Sequence, residues 1–209
     1  MMKPSVSAAI LAAGTSTRMN EMKQLAKIQG TYMLKYVIDQ VSNHPFQHIF
    51  VIVGHQADIV MKMIQVEDKR VQWLVNDQYK QGQSTSFKLA MEQARQYGDA
   101  VMMFLADQPL IEKETVNIVL NEGITRVQEE PFIVRPMYEK KEGHPVYWGN
   151  IHALDCSAVN GDKGGKTLME ELERMLIPVH DQGVLVDVDT CEDYKKVNDL
   201  MKRKSPSTH

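Results

Sequence analysis

The sequence predicts an α/β protein in which a mostly parallel sheet is covered by helices on both faces. Short apolar runs alternate with stretches whose apolar residues recur at helical spacing. Two of these runs, residues 48–53 and 100–105, are continuously apolar, as expected of strands covered on both sides. In total, the first 105 residues contain four predicted strands separated by predicted helices, an order that requires crossover connections between parallel strands. The predicted architecture is therefore a three-layer α/β/α sandwich.

The first half supplies most of this pattern. The predicted strands are residues 6–11, 48–53, 71–75 and 100–105. The predicted helices are marked by apolar residues on one face, namely Met33, Leu34, Val37, Ile38 and Val41, then Ile59, Val60, Met63 and Ile64, then Phe87, Ala90, Met91 and Ala94.

The second half is less regular. Residues 132–135 and 145–148 could pair as strands across the polar stretch between them, and residues 184–188 are predicted to form another strand. A final helix is expected to start at Thr190, with acidic residues in its first turn. A further helical stripe consists of Leu168, Met169, Leu172, Met175 and Leu176.

Length and composition favour a single domain, residues 1–204, followed by a disordered tail, residues 205–209. The net charge of −3 argues against a protein that coats nucleic acid or an anionic membrane. The apolar run near the start is too short to span a bilayer and too weakly flanked for a signal peptide. Two isolated cysteines, Cys156 and Cys191, form no disulfide framework, so we expect a cytoplasmic protein.

The loop from Leu11 to Lys23 is the most informative segment. Small residues after a parallel strand allow backbone N–H groups to face a phosphate. The Arg18 guanidinium could bind terminal phosphates in a fork, and Lys23 could place a charge on another phosphate. A tight turn around Gly14 with solvated basic residues is the structural alternative.

Carboxylates follow two of the predicted strands. Asp107 comes after residues 100–105 and should lie at the carboxyl edge of the sheet, where ligands of open α/β sheets collect. Carboxylates together with substrate phosphates are the usual ligands of Mg²⁺. A helix cap is the other interpretation of Asp107. Asp187 and Asp189 share one face of their predicted strand, and Asp189 is the favoured second ligand.

The run Leu11-Ala12-Ala13-Gly14-x-Ser16-x-Arg18-Met19, with Lys23, resembles the signature of the molybdenum-cofactor nucleotidyltransferases. The similarity is to the cytidylyltransferase branch and the related xanthine dehydrogenase accessory proteins. The chain departs from that signature at Asn20, where the family usually has glycine. The resemblance continues in order through Asn76, residues 82–86, residues 107–109, residues 143–145, residues 161–164 and residues 187–190.

This resemblance implies a fold similar to that of the nucleotide-diphospho-sugar transferases. It also implies transfer of CMP from CTP to the phosphate of molybdenum cofactor, with Mg²⁺ and release of pyrophosphate. Alanine at position 13 goes with CTP in that family, and the partner would be a molybdenum hydroxylase such as xanthine dehydrogenase.

The residues assigned in this way fall into four groups. The catalytic set is Arg18, Lys23 and Asp107; the nucleotide-binding set is Leu11, Ala12, Ala13, Gly14, Arg18, Lys23, Asn76, Gly82 and Ser84; the substrate-binding set is His144, Lys163 and Gly164; and the metal ligands are Asp107 and Asp189. Structural interpretations also stay open for Ser84 and His144. Ser84, or its neighbour Thr85, could cap a helix, and His144 could belong only to a turn.

Other functions leave weaker signals. Residues 160–167 approach a Walker A loop, but asparagine replaces the first glycine and a short helix, not a strand, is expected upstream. We expect this loop, with Lys163 and Lys166, to seat an anionic second substrate; a plain helix-entry loop is the alternative. A nucleotidyltransferase for a sugar or polyol phosphate and a non-catalytic cofactor-binding accessory protein also stay open. The sequence has no dinucleotide-binding G-x-G-x-x-G, no G-x-S-x-G and no paired Cys/His spacing.

Overall fold

The computed structural model describes residues 5–14, 22–126 and 128–204, with side chains described as far as Lys202; the predicted tail, residues 205–209, lies outside these ranges. The strands within them are β1 Val6–Leu11, β2 Lys27–Ile28, β3 Thr31–Tyr32, β4 Ile49–Val53, β5 Val71–Val75, β6 Ala100–Leu105, β7 Phe132–Tyr138, β8 Lys141–Glu142, β9 Val146–Gly149 and β10 Glu173–Pro178. The α-helices are α1 Met33–Ser42, α2 Ala57–Met63, α3 Gln83–Arg95, α4 Lys113–Thr125, α5 Lys166–Glu171 and α6 Cys191–Lys204.

The main sheet is mostly parallel, as predicted. Its strand order is β10-β7-β9-β6-β1-β4-β5, and β8 pairs with β7. Strand β9 is antiparallel to both of its neighbours, β6 and β7. Because Val146 pairs with Met103, the chain enters β9 at the edge where β6 ends. Residues just before β9 therefore reach the carboxyl edge of the parallel strands.

Two apolar layers enclose the sheet, which confirms the three-layer sandwich. Helices α1, α2 and α4 pack on one face, and α3 and α5 pack on the other. Alternate residues of each central strand go to opposite faces, so Ala8 and Ile10 belong to the first layer and Ala9 to the second. A smaller cluster packs α6 against Ile28 and Met33.

The four strands predicted in the first half are confirmed, and so are the three helices between them. The apolar face of α1 is buried as expected. Helix α2 is covered less completely, because Val60 and Ile64 are buried whereas Ile59 and Met63 are 48% and 46% exposed. The predicted stripe on this helix is thus only half correct.

Two predictions for the second half are wrong. Met175 and Leu176 do not continue a helix, because α5 ends at Glu171 and the chain then forms β10, a parallel edge strand on β7. Residues 184–188 do not form a strand. Asp181 accepts a hydrogen bond from the backbone N–H of Gly183 and starts a 3₁₀ turn, Gln182–Leu185, which leads into an extended segment.

The predicted pairing of residues 132–135 with 145–148 is confirmed as the β7–β9 ladder. Helix α6 starts where expected: Thr190 Oγ1 accepts from the N–H of Asp193, and the Asp193 carboxylate accepts from the N–H of Thr190. The Walker A alternative is excluded, because residues 161–163 form a 3₁₀ turn that follows another 3₁₀ turn, Ile151–Ala153, and an irregular segment. Among the helices described, none is long and apolar enough to cross a bilayer.

Candidate active site

A cavity of about 540 Å³ opens at the carboxyl edge of β1 and β6. It brings together most of the residues predicted from the first loop and the carboxylates. Those that line it are Leu11, Ala12, Ala13, Gly14, Lys23, Gly82, Asp107 and Asp189. Arg18, with Ser16, Met19 and Asn20, lies outside the described residues.

Lys23 joins the two carboxylates that were predicted as metal ligands. Its Nζ donates to Asp107 Oδ2 at 2.8 Å and to Asp189 Oδ1 at 2.7 Å. The backbone holds the carboxylates close together, because the N–H of Val188 donates to the carbonyl of Asp107 at 2.9 Å. Burial alone would lower the pKa of Lys23, but the charges and hydrogen bonds of both aspartates raise it above its usual value. The lysine therefore stays protonated at this edge of the sheet.

Asp187 has a different partner. Its Oδ1 accepts from Gln108 Nε2 at 2.7 Å, away from the lysine bridge. Burial and the negative charges of Asp107 and Asp189 raise the pKa of Asp187. Of the two carboxylates that the sequence left open, Asp189 shares Lys23 with Asp107, whereas Asp187 is close enough for the charge of Asp107 to raise its pKa.

Asp107 does not cap the following helix. Helix α4 begins at Lys113, and its first turn is held by Asp181, whose Oδ2 accepts from the N–H of Glu112 and from Thr115 Oγ1. The structural alternative for Asp107 is thereby removed.

The pair Asp107 and Asp189 fits a hard divalent cation. Asp107 Oδ1 is buried and has no hydrogen-bond partner within the part of the chain that the structure describes. Such an atom needs a cation or water, since an unpaired buried oxygen is costly. Across the same part of the chain, no three His, Cys, Asp or Glu side chains form a metal-binding group. Two carboxylates with phosphate and water oxygens suit Mg²⁺ under these conditions.

Gln24 was not singled out from the sequence. Its side chain is buried, and Nε2 donates to the carbonyls of Ala12 at 2.8 Å and Gly14 at 3.0 Å. The amide thus fixes the path of the small-residue loop from inside. A glutamine beside Lys23 carries no periodic or motif signal, so only the fold reveals this contact.

Asn76 and Ser84 line a neighbouring pocket of about 460 Å³ instead of the first cavity. Asn76 Nδ2 donates to Thr85 Oγ1 at 2.8 Å and to Ser86 Oγ at 2.9 Å, while Oδ1 accepts from the N–H of Gln78. Asn76 therefore ties the loop after β5 to the start of α3. Gly82, and neither Ser84 nor Thr85, is the N-cap of α3.

A second cavity, of about 480 Å³, contains all three residues predicted for the second substrate, His144, Lys163 and Gly164. Two further cations line it, Arg135 and Lys166, and part of the wall is aromatic or sulfur-containing. The residues of that wall are Phe87, Met103, Trp148 and Met169. The antiparallel direction of β9 explains why His144 reaches the same edge as Asp107.

His144 is neutral in this setting. Burial, with a smaller contribution from Arg135, lowers its pKa to about 3. The peptide bond to Pro145 is cis, and the N–H of His144 donates to the carbonyl of Val184 at 3.1 Å. Gly143 is needed here, because a Cβ atom would lie 2.6 Å from the Val184 side chain.

The two cavities are adjacent. Leu11, Gln83 and Asp162 line both of them. Their loops touch, since a Cβ atom on Gly82 would lie 2.5 Å from the carbonyl of Gly161. Ligands bound in the two cavities would therefore be neighbours.

Comparison with known sequences agrees with this geometry. Residues 8–175 match the MobA-like NTP transferase domain. The bifunctional protein GlmU of Nitratidesulfovibrio vulgaris is 34% identical over 125 residues, which are 58% of this chain and 27% of GlmU. GlmU of Alkaliphilus metalliredigens is 32% identical over 78% of this chain and 33% of its own length. The chain thus spans about a quarter to a third of these curated relatives.

Solved structures show the same fold. The homologue of Mycobacterium tuberculosis Rv0371c from Mycobacterium sp. strain JC1 has a TM-score of 0.80 at 27% identity, over 96% of this chain and 98% of that one. Rv0371c of Mycobacterium tuberculosis in complex with manganese has a TM-score of 0.72 at 21% identity, over 93% of this chain and 98% of that one. Molybdopterin-guanine dinucleotide biosynthesis protein A from Archaeoglobus fulgidus has a TM-score of 0.71 at 14% identity, over 94% of this chain and 99% of that one. With four fifths of its length matched to that domain, the chain belongs to the MobA-like nucleotidyltransferases.

Proposed function

We propose that this chain transfers CMP from CTP to the phosphate of molybdenum cofactor and releases pyrophosphate. The step would serve maturation of a molybdenum hydroxylase such as xanthine dehydrogenase. One observation carries the proposal: a cationic cavity with an aromatic wall shares Leu11, Gln83 and Asp162 with the cavity that holds the Lys23 cluster. An acceptor that combines a flat ring system with a phosphate matches that chemistry.

In the first cavity the chain supplies binding and charge. Gly14 and its neighbours would follow the triphosphate, with Lys23 on the α-phosphate and Arg18, as predicted from the sequence, on the departing phosphates. Mg²⁺ bound by Asp107 and Asp189 would neutralise phosphate charge. Rv0371c, which shares the fold, was solved with manganese, and this supports a divalent cation here.

In the second cavity Lys163 and Lys166 would hold the acceptor phosphate, and Arg135, which is paired with Glu142, would add positive charge. The wall that contains Trp148 and Phe87 would give its rings an apolar surface. An acceptor phosphate oxygen forms the new bond to the α-phosphorus of CTP, while the bond to the β-phosphate oxygen breaks. Pyrophosphate leaves with that electron pair, so no protein nucleophile is needed. Positioning and electrostatic stabilisation account for the catalysis.

The choice of CTP rests on Ala13, which is buried in the wall of the first cavity. In the family that the first loop resembles, alanine at this position goes with cytidine. The charged Lys23 cluster supports catalysis over simple cofactor binding, because a binding module has no need of paired carboxylates that can hold a metal ion.

The test is to incubate the protein with Mg²⁺, molybdenum cofactor and each nucleoside triphosphate in turn, and to measure pyrophosphate. We expect release with CTP alone among the four. Equal release with GTP would remove the cytidine assignment, and release with a sugar or polyol phosphate in place of the cofactor would favour the other acceptor class. Binding of cofactor with no pyrophosphate from any nucleotide would indicate an accessory protein.

A pair of variants tests the acceptor cavity separately. Lys163→Ala should raise the KM for the cofactor about tenfold while the KM for CTP stays constant, since loss of one charged contact costs about 1–2 kcal/mol. Lys69→Ala, which removes an exposed lysine elsewhere, is the matched control. An equal rise in both KM values would contradict the assignment of Lys163 to the acceptor.

A further inference from the structure

The ammonium group of Lys23 lies where the two candidate metal ligands converge. One oxygen of Asp107 and one of Asp189 both accept from it, at 2.8 and 2.7 Å. The lysine side chain is only 15% exposed, whereas the Asp189 side chain is 46% exposed, so the bridge is buried on the lysine side and open to solvent at Asp189. Its position is set by the 3₁₀ turn Lys23–Leu25, which ends the loop that follows β1.

These two oxygens are the ones through which a metal ion would bridge the two carboxylates. Mg²⁺ binds carboxylate oxygens at about 2.0–2.1 Å in a nearly octahedral shell. An ammonium group between the carboxylates occupies part of that shell and offsets one of their two negative charges. A metal ion can bridge Asp107 Oδ2 and Asp189 Oδ1 only after the lysine has moved away.

We propose that Lys23 is an internal cation that occupies the Asp107–Asp189 pair until a nucleoside triphosphate arrives, an inference that rests on the nucleotide and metal sites of the proposed function. The arriving phosphates give the ammonium group a new anionic partner in the same cavity. The lysine transfers to the nucleotide, and the metal ion that accompanies the nucleotide takes its place between the carboxylates.

Two features of the site support this exchange. Asp107 Oδ1 is buried and, among the described residues, has no hydrogen-bond partner, so the lysine satisfies only half of that carboxylate. The loop residues Gly14 and Ala13 line the same cavity as Lys23, so a phosphate bound at the loop is within the reach of a lysine side chain. The exchange makes metal binding weak without nucleotide.

The test measures Mn²⁺ binding to the full chain without nucleotide. The electron paramagnetic resonance signal of the free ion gives the amount of Mn²⁺ that is not bound. We expect Lys23→Met to bind Mn²⁺ at least tenfold more tightly than the unchanged protein. Lys23→Arg, which keeps a cation in the cavity, should remain weak. Lys27→Met removes the same charge from an exposed position and controls for the change in net charge. Thermal unfolding with and without Mn²⁺ verifies that each variant is folded.

Two results would overturn the proposal. One is a Lys23→Met variant that binds Mn²⁺ no more tightly than Lys27→Met. The other is a gain in affinity that survives when Asp107→Asn is added, because the ion would then be elsewhere. Neither result depends on turnover: pyrophosphate release by the unchanged protein tests the proposed function, and the Mn²⁺ titration tests the exchange.

Discussion

Lys23 and Asp107 are 84 residues apart in the chain, yet the lysine Nζ lies 2.8 Å from an oxygen of that carboxylate. The first residue follows the loop after β1 and the second follows β6, and these two strands are parallel neighbours in full register from Val6 to Leu11. The contact therefore depends on strand order. It joins the predicted phosphate loop to the predicted metal ligand.

Asp107→Asn should reduce pyrophosphate release by two orders of magnitude or more, because metal-assisted charge stabilisation is worth several kcal/mol. The amide keeps the shape of the side chain but loses its charge. Initial rates at saturating nucleotide and Mg²⁺ give the measurement. Asp199→Asn, an exposed change on α6, is the matched control, and similar rates for both variants would exclude Asp107 from catalysis.

Gln24→Met should weaken nucleotide binding while leaving the fold intact. The change removes two hydrogen bonds to the loop carbonyls of Ala12 and Gly14, each worth about 1 kcal/mol. We expect the KM for nucleotide to rise about tenfold or more, with a smaller change in kcat. Gln96→Met alters an exposed glutamine at the end of α3 and gives the reference value. A lower kcat at constant KM would assign Gln24 to a different role.

His144 should make the protein sensitive to mild acid. Its pKa in the folded state is lowered to about 3, whereas the unfolded chain binds a proton near pH 6.5. Between these values the unfolded state holds the extra proton, so the free energy of unfolding decreases as the pH falls. From pH 7 to pH 5 this one group accounts for a loss of about 2 kcal/mol.

Urea unfolding of His144→Gln at pH 7 and pH 5 measures that contribution. The variant should lose less stability over this interval than the unchanged protein. His180→Gln, at an exposed site, is the comparison. Equal losses in the unchanged protein and in His144→Gln would show that the imidazole is readily protonated in the folded state.

Gly123→Ala should destabilise the protein, although the same change within a helix usually stabilises it by up to about 1 kcal/mol. Gly123 lies in α4, and a Cβ atom there would be 2.5 Å from the ring of Tyr147 on β9. Overpacking of this kind costs about 1–3 kcal/mol. Chemical denaturation measures the effect, with exposed Asn121→Ala on the same helix as control. A gain in stability would mean that the ring moves aside without cost.

The fold could be predicted from the sequence where the burial of a strand or helix leaves a regular pattern of apolar residues. Strands such as β4 and β6 are covered on both faces, so their sequences are continuous apolar runs. Strand β10 lies at the sheet edge with half-buried residues, and its sequence could not be distinguished from the helix before it. Exposure of Ile59 and Met63 was also invisible in the sequence, because spacing gives a helical face but not what covers it.

The candidate site divides in a similar way. Residues at strand ends, such as Gly14 and Asp107, could be placed from the strand pattern, and the resemblance pointed to His144 and Lys163. Gln24 could not be found, because its function depends on the folded path of a loop that it contacts from inside. Arg135 was missed for another reason: it lies within β7 and meets the site only because β9 turns back beside that strand.

The close approach of Gly82 to Gly161 limits how such a protein can change its acceptor. Gly82 lines the first cavity, and any side chain there would push against the backbone that leads to Asp162 and Lys163 in the second cavity. The opposite wall, built from β7 and β9, borders only the acceptor. Under the proposed function, substitution around Arg135 and Trp148 would alter the acceptor cavity alone, whereas a side chain at position 82 would disturb the linings of both cavities at once.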